Sequence, residues 1–346
     1  MTAIAITTPP PPMSTTTGLQ DRDPIVDGTM TAMAITTPGL QDEMFLRLRR
    51  EAAVVVKNEP ILSMLLSKVG LLDATAETTA GGLNKVVPAT SFEEAIARIV
   101  SHRLSSCSGK TESICPTFLS HLIEESFRST ELEMGHTMTE SVREDAIAIV
   151  RRDPACETLL EAVLFMKGFH SLVIHRAARR AWKPAPRHDN GVMINGMIGN
   201  STAAEIDKTV YVEGKRFVAL LLQSQASSAF GVDIHPASSI GAGVMIDHGS
   251  GVVIGETATV GDGSTILHNV TLGGTGKAGG DRHPKIGRHV LIGAGTQILG
   301  NIIVGDCAKI GAGSVVLRPI PSGATAVGAP AKIIGEYMME IVKDTG

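Results

Sequence analysis

The chain has 346 residues, a net charge of −4, 37 glycines and only 3% aromatic residues. That length allows two or three domains. The mildly acidic balance gives no basic surface for nucleic acid, and no run of the roughly 18 apolar residues needed to span a bilayer occurs, so neither is expected as a partner.

Residues 1–40 hold ten Thr and six Pro, and Thr2-Ala-Ile-Ala-Ile-Thr-Thr-Pro returns as Thr31-Ala-Met-Ala-Ile-Thr-Thr-Pro. Such a composition cannot bury a core and reads as a disordered tail. The first 21 residues lack Lys and Arg, which argues against a mitochondrial presequence. A plain tail on a cytoplasmic protein is the reading, with a plastid-type transit peptide as the alternative.

From about Gln41 to Ala181 the apolar spacing is helical. Ser91-Phe-Glu-Glu reads as a capping box. Behind it Phe92, Ala95, Ile96, Ile99 and Val100 share one face. Pro116 opens a further helix with Phe118, Leu119, Leu122, Ile123 and Phe127 on its stripe. Val142, Ala146, Ile149 and Val150 continue the pattern, and Leu159, Leu160, Val163, Leu164 and Phe165 predict a buried helix. These stripes are core. Cys107, Cys115, Cys156 and Cys307 form no CxxC pair and no metal spacing, as free thiols in a reducing compartment would. Lys183 to Gly214 is rich in Gly and Pro and reads as an irregular insertion. Lys215 to Ser228 predicts a short helix.

Between Val232 and Val327 an aliphatic residue returns every six positions. Ile234, Ile240 and Ile246 form a first run. Ile254, Val260, Ile266 and Leu272 form a second, and Ile286, Ile292, Ile298, Val304, Ile310 and Val316 a third. A period of six fits neither an amphipathic helix nor a half-buried strand. It predicts a parallel β-helix, with one short strand per hexad and the aliphatic residue stacked inward. Stacked β-branched residues suit such strands. The repeat by itself says little about chemistry.

Chemistry is sought where the repeat is interrupted. Asp247-His248 stands in an enlarged corner, and Gly273 to Pro284 is an excursion carrying Arg282 and His283. A regular solenoid needs neither. Alone, His248 reads as a solvent-facing corner residue, but an adjacent Asp and a later Arg-His pair argue for a site. Asp233 lies fifteen residues before His248, close to one turn of three hexads, which places the two near neighbouring corners. A carboxylate beside an imidazole fixes its tautomer and stabilises the imidazolium. The structural alternative for Asp233 is a capping carboxylate at the solenoid entrance.

These residues carry a specific resemblance. Val232-Asp-Ile-His-Pro-Ala, Asp247-His-Gly-Ser-Gly, Gly255-Glu-Thr-Ala, Thr271-Leu-Gly-Gly-Thr-Gly-Lys, Gly280-Asp-Arg-His-Pro-Lys-Ile and Ile310-Gly-Ala-Gly-Ser-Val-Val resemble serine O-acetyltransferases. Arg152-Asp-Pro-Ala and Lys167-Gly-Phe-His match the helical domain of the same family. The resemblance covers about residues 45 to 335. It implies an α+β fold: an N-terminal α-helical domain, 41–231, followed by a left-handed parallel β-helix, 232–327, the hexapeptide-repeat solenoid. A tail at 1–40, the insertion 183–214 and a short C-terminal tail at 328–346 depart from the family.

The resemblance implies acetyl transfer from acetyl-CoA, a co-substrate rather than a permanently bound cofactor, to the hydroxyl of L-serine. His248 becomes the general base and Asp233 its orienter. Gly274 would donate its backbone N–H to the tetrahedral oxyanion. Arg282 would take the serine carboxylate, Asp153 and Asp247 the ammonium, and His283 would contact the bound amino acid. Asp153 precedes Pro154, so a helix N-cap is its structural reading. Ala294, Lys309 and Ala312 match positions that contact CoA, which would lie in a groove between adjacent prisms. The family therefore implies a homotrimer, or a hexamer of two trimers, with L-cysteine as feedback inhibitor.

Many relatives bind O-acetylserine sulfhydrylase through a tail ending in Ile. Here the last residue is Gly346, which has no side chain for the partner's apolar pocket, so no tight complex is expected. The alternatives are an acetyltransferase for another small hydroxyl or amine acceptor, a zinc carbonic anhydrase using His283 and His289, and a non-catalytic binding subunit.

Overall fold

The computed structural model describes residues 42–72, 87–107, 115–182, 203–276 and 279–334. The readings made for residues 1–40, for the first part of the insertion and for the end of the chain from 335 onward lie outside the described residues.

The helical part runs through α1 (Glu43–Asn58), a 3₁₀ turn, α2 (Ser63–Lys68), α3 (Phe92–Cys107), α4 (Pro116–Phe127), α5 (Met138–Arg152), α6 (Leu159–Phe165), α7 (Lys167–Ala181) and α8 (Ala203–Phe230). The predicted stripes form its core. Phe92, Ile96, Ile99, Leu119, Ile123, Val142 and Val163 are buried together. Two members of the stripes turn outward: Phe118 is 54% exposed and Phe165 51%. Each sits at an end of its helix, beyond the packed turn.

The caps differ in detail from the sequence reading. Ser91 Oγ accepts from Glu94 N–H at 3.2 Å. The Glu94 carboxylate, however, accepts from Thr90 N–H, at 2.8 Å. Complete reciprocal boxes form instead at Thr137/Glu140 and Thr158/Glu161. The insertion is also corrected. α8 begins at Ala203, eleven residues before Gly214, within the stretch read as irregular. A glycine inside a helix costs about 1 kcal/mol relative to Ala. Burial of Ala219, Leu222, Ala226 and Phe230 offsets that cost, and α8 packs on α7 and on the first strand of the solenoid.

The solenoid is laid down in coils of three short strands. The first coil has β1 (Val232–Ile234), β2 (Ser239–Ile240) and β3 (Met245–Ile246). The second has β4 (Val252–Ile254), β5 (Thr259–Val260) and β6 (Thr265–Ile266). The third has β7 (Thr271–Gly273), β8 (Lys285–Ile286) and β9 (Leu291–Ile292). The fourth has β10 (Gln297–Leu299), β11 (Ile303–Val304) and β12 (Lys309–Ile310). The fifth contributes β13 (Val315–Val316) and β14 (Thr325–Val327), and β15 (Lys332–Ile334) folds back antiparallel on β14.

β1 to β13 pair only with their copies one coil away, in parallel, and β14 continues the third face, giving three faces: β1-β4-β7-β10-β13, β2-β5-β8-β11 and β3-β6-β9-β12-β14, the last edged by β15. Every one of the predicted hexad residues, from Ile234 to Val316, is buried. The stacked aliphatics are the solenoid's core, and the site therefore has to lie on its surface.

Helices and solenoid join through a buried ion pair. Asp145 on α5 accepts from Arg176 Nε at 3.0 Å and Nη2 at 2.7 Å. Its other oxygen takes Val244 N–H at 2.9 Å. Arg176 also donates to the carbonyls of Ile240 and Gly241, at 3.1 and 2.7 Å. Both side chains are essentially inaccessible to solvent. Beside this lock, Gly168 of α7 lies so close to β3 that a Cβ would collide with the Ile246 carbonyl.

α7 also buries two histidines, His170 and His175. His170 Nε2 bonds to Val163 O at 2.7 Å, and burial depresses its pKa to about 4. In the unfolded chain the same ring titrates near 6.5. Between those values the unfolded state binds more protons, so stability falls as pH drops from 6.5 to 4, by about 3 kcal/mol from this group. Urea midpoints across that range should therefore slope downward toward acid, and the slope should shrink in His170→Gln, whose amide can still donate to Val163 O. An identical slope in the variant contradicts this.

Candidate active site

Three faces make three edges, and the position of each corner assigns the predicted residues. The edge leading from the third face to the first holds Asp247 and His248, between β3 and β4. The corner is enlarged relative to its copies and closes on itself, Gly249 N–H donating to Asp247 O at 2.6 Å and Ser250 N–H to His248 O at 2.9 Å. His248 takes φ 55. That alone is no mark of catalysis, since Asn269, His289 and Cys307 adopt the same conformation at other corners. What distinguishes His248 is its setting. Its side chain is 75% exposed, with Nε2 3.7 Å from Asp247 Oδ1, and its ring stands edge-on to His268 one coil later, centroids 5.8 Å apart. Ala294 and Ala312 occupy the same edge in later coils, and Lys309 lies on the adjoining third face.

α7 and α5 approach this edge. Lys167, next to Gly168, donates to Ser250 Oγ. Arg152 Nη1 reaches Ser264 O and Thr265 Oγ1, at 3.4 and 3.3 Å. This sets the end of α5 over the third face. Asp153 is the C-cap of α5 and not a helix N-cap, because Pro154 follows the helix rather than opening one. Its carboxylate accepts from Ala155 N–H at 2.9 Å and has no cationic partner among the described residues.

The edge leading from the first face to the second holds the other set. Arg282 Nη2 donates to Glu256 Oε2 at 2.9 Å, and its side chain lies against Gly274. Thr257 Oγ1 accepts from the backbone N–H of both Arg282 and His283, each at 3.1 Å. Thr257 N–H donates to His283 Nδ1 at 3.1 Å, which leaves the proton of a neutral ring on Nε2, pointing elsewhere. The ring packs on Gly255, where no Cβ would fit. Burial lowers the His283 pKa, and Arg282 adds to the effect. His235 shares this edge. Burial lowers its pKa too, opposed by the charges of Glu256 and Asp233.

Asp233, the middle residue of β1, lies on the face between these two edges. Its carboxylate accepts from Gln223 Nε2 of α8 at 2.7 Å. No hydrogen bond or ion pair joins it to His248 among the described residues. The structure thus places Asp247 and His248 together, groups Gly274, Arg282 and His283 on a separate edge, and gives Asp233 a partner that sequence reasoning did not anticipate. His268, Glu256 and Thr257 were also missed. His268 had a legible signal, being one coil after His248, whereas the role of Thr257 as the anchor of the excursion is visible only in three dimensions. His283 and His289 sit on different edges, and no group of three or more His, Cys, Asp or Glu among the described residues could hold a metal ion. No helix among the described residues is long and apolar enough to cross a membrane.

Residues 44–173 match the family model for the serine acetyltransferase N-terminal region, and residues 283–318 match that for six bacterial transferase hexapeptide repeats. Serine acetyltransferase 1, chloroplastic, of Arabidopsis thaliana is 40% identical over 294 residues, covering 85% of this chain and 76% of the relative. The crystal structure of a serine acetyltransferase from Brucella abortus in complex with coenzyme A is 36% identical, with a TM-score of 0.65 over 86% of this chain and 97% of that one. Soybean serine acetyltransferase complexed with serine is 35% identical, with a TM-score of 0.66 over 86% of this chain and all (100%) of that one.

Proposed function

We propose, for a chain that belongs to the serine acetyltransferase family, that the two solenoid edges close on one substrate between adjacent copies. The protein transfers the acetyl group of acetyl-CoA to the hydroxyl of L-serine, giving O-acetylserine and CoA. His248 accepts the hydroxyl proton as the serine oxygen forms its bond to the thioester carbonyl carbon. The carbon–sulfur bond then breaks, and the same proton passes to the leaving thiolate. Asp233 orients the imidazole. Gly274 N–H faces the oxyanion. Arg282 takes the serine carboxylate, Asp153 and Asp247 its ammonium, and His283 completes the pocket. Ala294, Lys309 and Ala312 border the CoA track.

The observation that carries this reading is the separation of the two sets. His248, Ala294 and Ala312 share one edge of a prism, Lys309 lies on the face beside it, and Arg282 sits on another edge. A homotrimer, or a hexamer of two trimers, sets one copy's base edge beside the next copy's clamp edge. Co-expressing His248→Ala with Arg282→Ala tests this. Each variant alone should be nearly inactive, while random mixing leaves both halves intact in about a quarter of shared sites. A mixture no more active than either variant would overturn the shared site. L-Cysteine carries the same ammonium and carboxylate and is proposed as a competitive feedback inhibitor. Adding it to the same assay reads that competition, and full activity with cysteine in large excess over serine ends this part of the reading. The cytoplasm is the proposed compartment, with the plastid as alternative, and imaging a tagged full chain distinguishes them.

A further inference from the structure

We infer that Gln223 is a positioning residue for the reaction, acting through Asp233; the inference rests on the assignment of Asp233 as the orienter of His248. Gln223 lies on α8, two turns before the helix ends at Phe230. Gly231, at φ 69, reverses the chain, so the last turns of α8 pack back on β1. Leu222 and Ala226 are buried beside Gln223, which fixes where its side chain starts. From there the amide Nε2–H reaches Asp233 Oδ1 at 2.7 Å. Asp233 Oδ2 has no partner among the described residues.

This arrangement answers a specific need. Asp233 stands on a solenoid face with its neighbour one coil away, Val253, unable to bond it. Without a second contact the carboxylate would rotate about its Cβ–Cγ bond, and no one oxygen would be presented. The amide holds one oxygen and leaves the other to accept an imidazole N–H. Gln is neutral, so the carboxylate keeps its full charge for stabilising an imidazolium, whereas Lys or Arg would quench part of it. The helical part thereby sets the geometry of a residue in the solenoid.

Gln223→Met keeps the length and volume of the side chain and removes the donor. In the full-length protein, kcat should fall roughly 10-fold, as small misplacements of reacting groups do, while KM for acetyl-CoA stays within about twofold. Gln223→Glu, which sets a second carboxylate against Asp233, should lose more. In an Asp233→Asn background, Gln223→Met should have less than about a twofold further effect, because both changes act on one element. Wild-type kcat in Gln223→Met overturns the inference, as does a double variant whose losses multiply. If Asp233→Asn is itself fully active, the assignment of Asp233 falls and the inference falls with it. A defective Asp233→Asn beside a normal Gln223→Met removes the inference alone.

Discussion

His248→Ala should lose roughly 10²–10⁴-fold in kcat, the range a positioned general base contributes, while CoA still binds. Serine's hydroxyl is a weak nucleophile near neutral pH, so removing the proton acceptor strikes the chemical step and not the binding of the thioester. The site also allows a clean experiment. The His248 side chain is 75% exposed and its neighbours are Asp247 and His268, so truncation opens no cavity. The backbone is the one structural concern, since His and Asn populate the region around φ 55 more readily than Ala does. His248→Asn, a residue that tolerates this conformation, is the control and should be equally inactive. Wild-type turnover in either correctly folded variant would refute the assignment.

Asp145→Ala should cost about 3–5 kcal/mol of stability, the penalty for leaving a buried charge unpaired. The substitution strips Arg176 of its carboxylate and leaves Val244 N–H without an acceptor. Against a typical total of about 5–15 kcal/mol that is a large loss. Asp145→Asn should cost less, because its amide oxygen still accepts from one of the two donors. Turnover should fall along with stability, since α7 carries Arg176 as well as Gly168 and Lys167, which rest on the strand and corner leading to His248. Urea midpoints and kcat measured on the same preparations read both effects. An Asp145→Ala protein with an unchanged midpoint would show that the junction is not held by this pair.

The hexad period by itself determined the solenoid, down to which side chains fill it, because one inward residue per strand is a property of local chain geometry that every coil repeats. The interruptions at 247–248 and 273–284 were equally legible, since a regular corner needs no ionisable group. The helical stripes were legible up to their ends, where Phe118 and Phe165 face outward because nothing packs there. What the sequence could not settle is which groups meet. Spacing set Asp233 near a corner beside His248, but its carboxylate bonds to Gln223, delivered by a helix whose first half carries weak local signals. Asp153 resembled a helix start, yet it closes α5 over the third face. His248 and Arg282 belong to one motif set in the sequence, but the prism sends them to different edges. Such pairings depend on packing between segments far apart in the chain, and only the tertiary structure decides them.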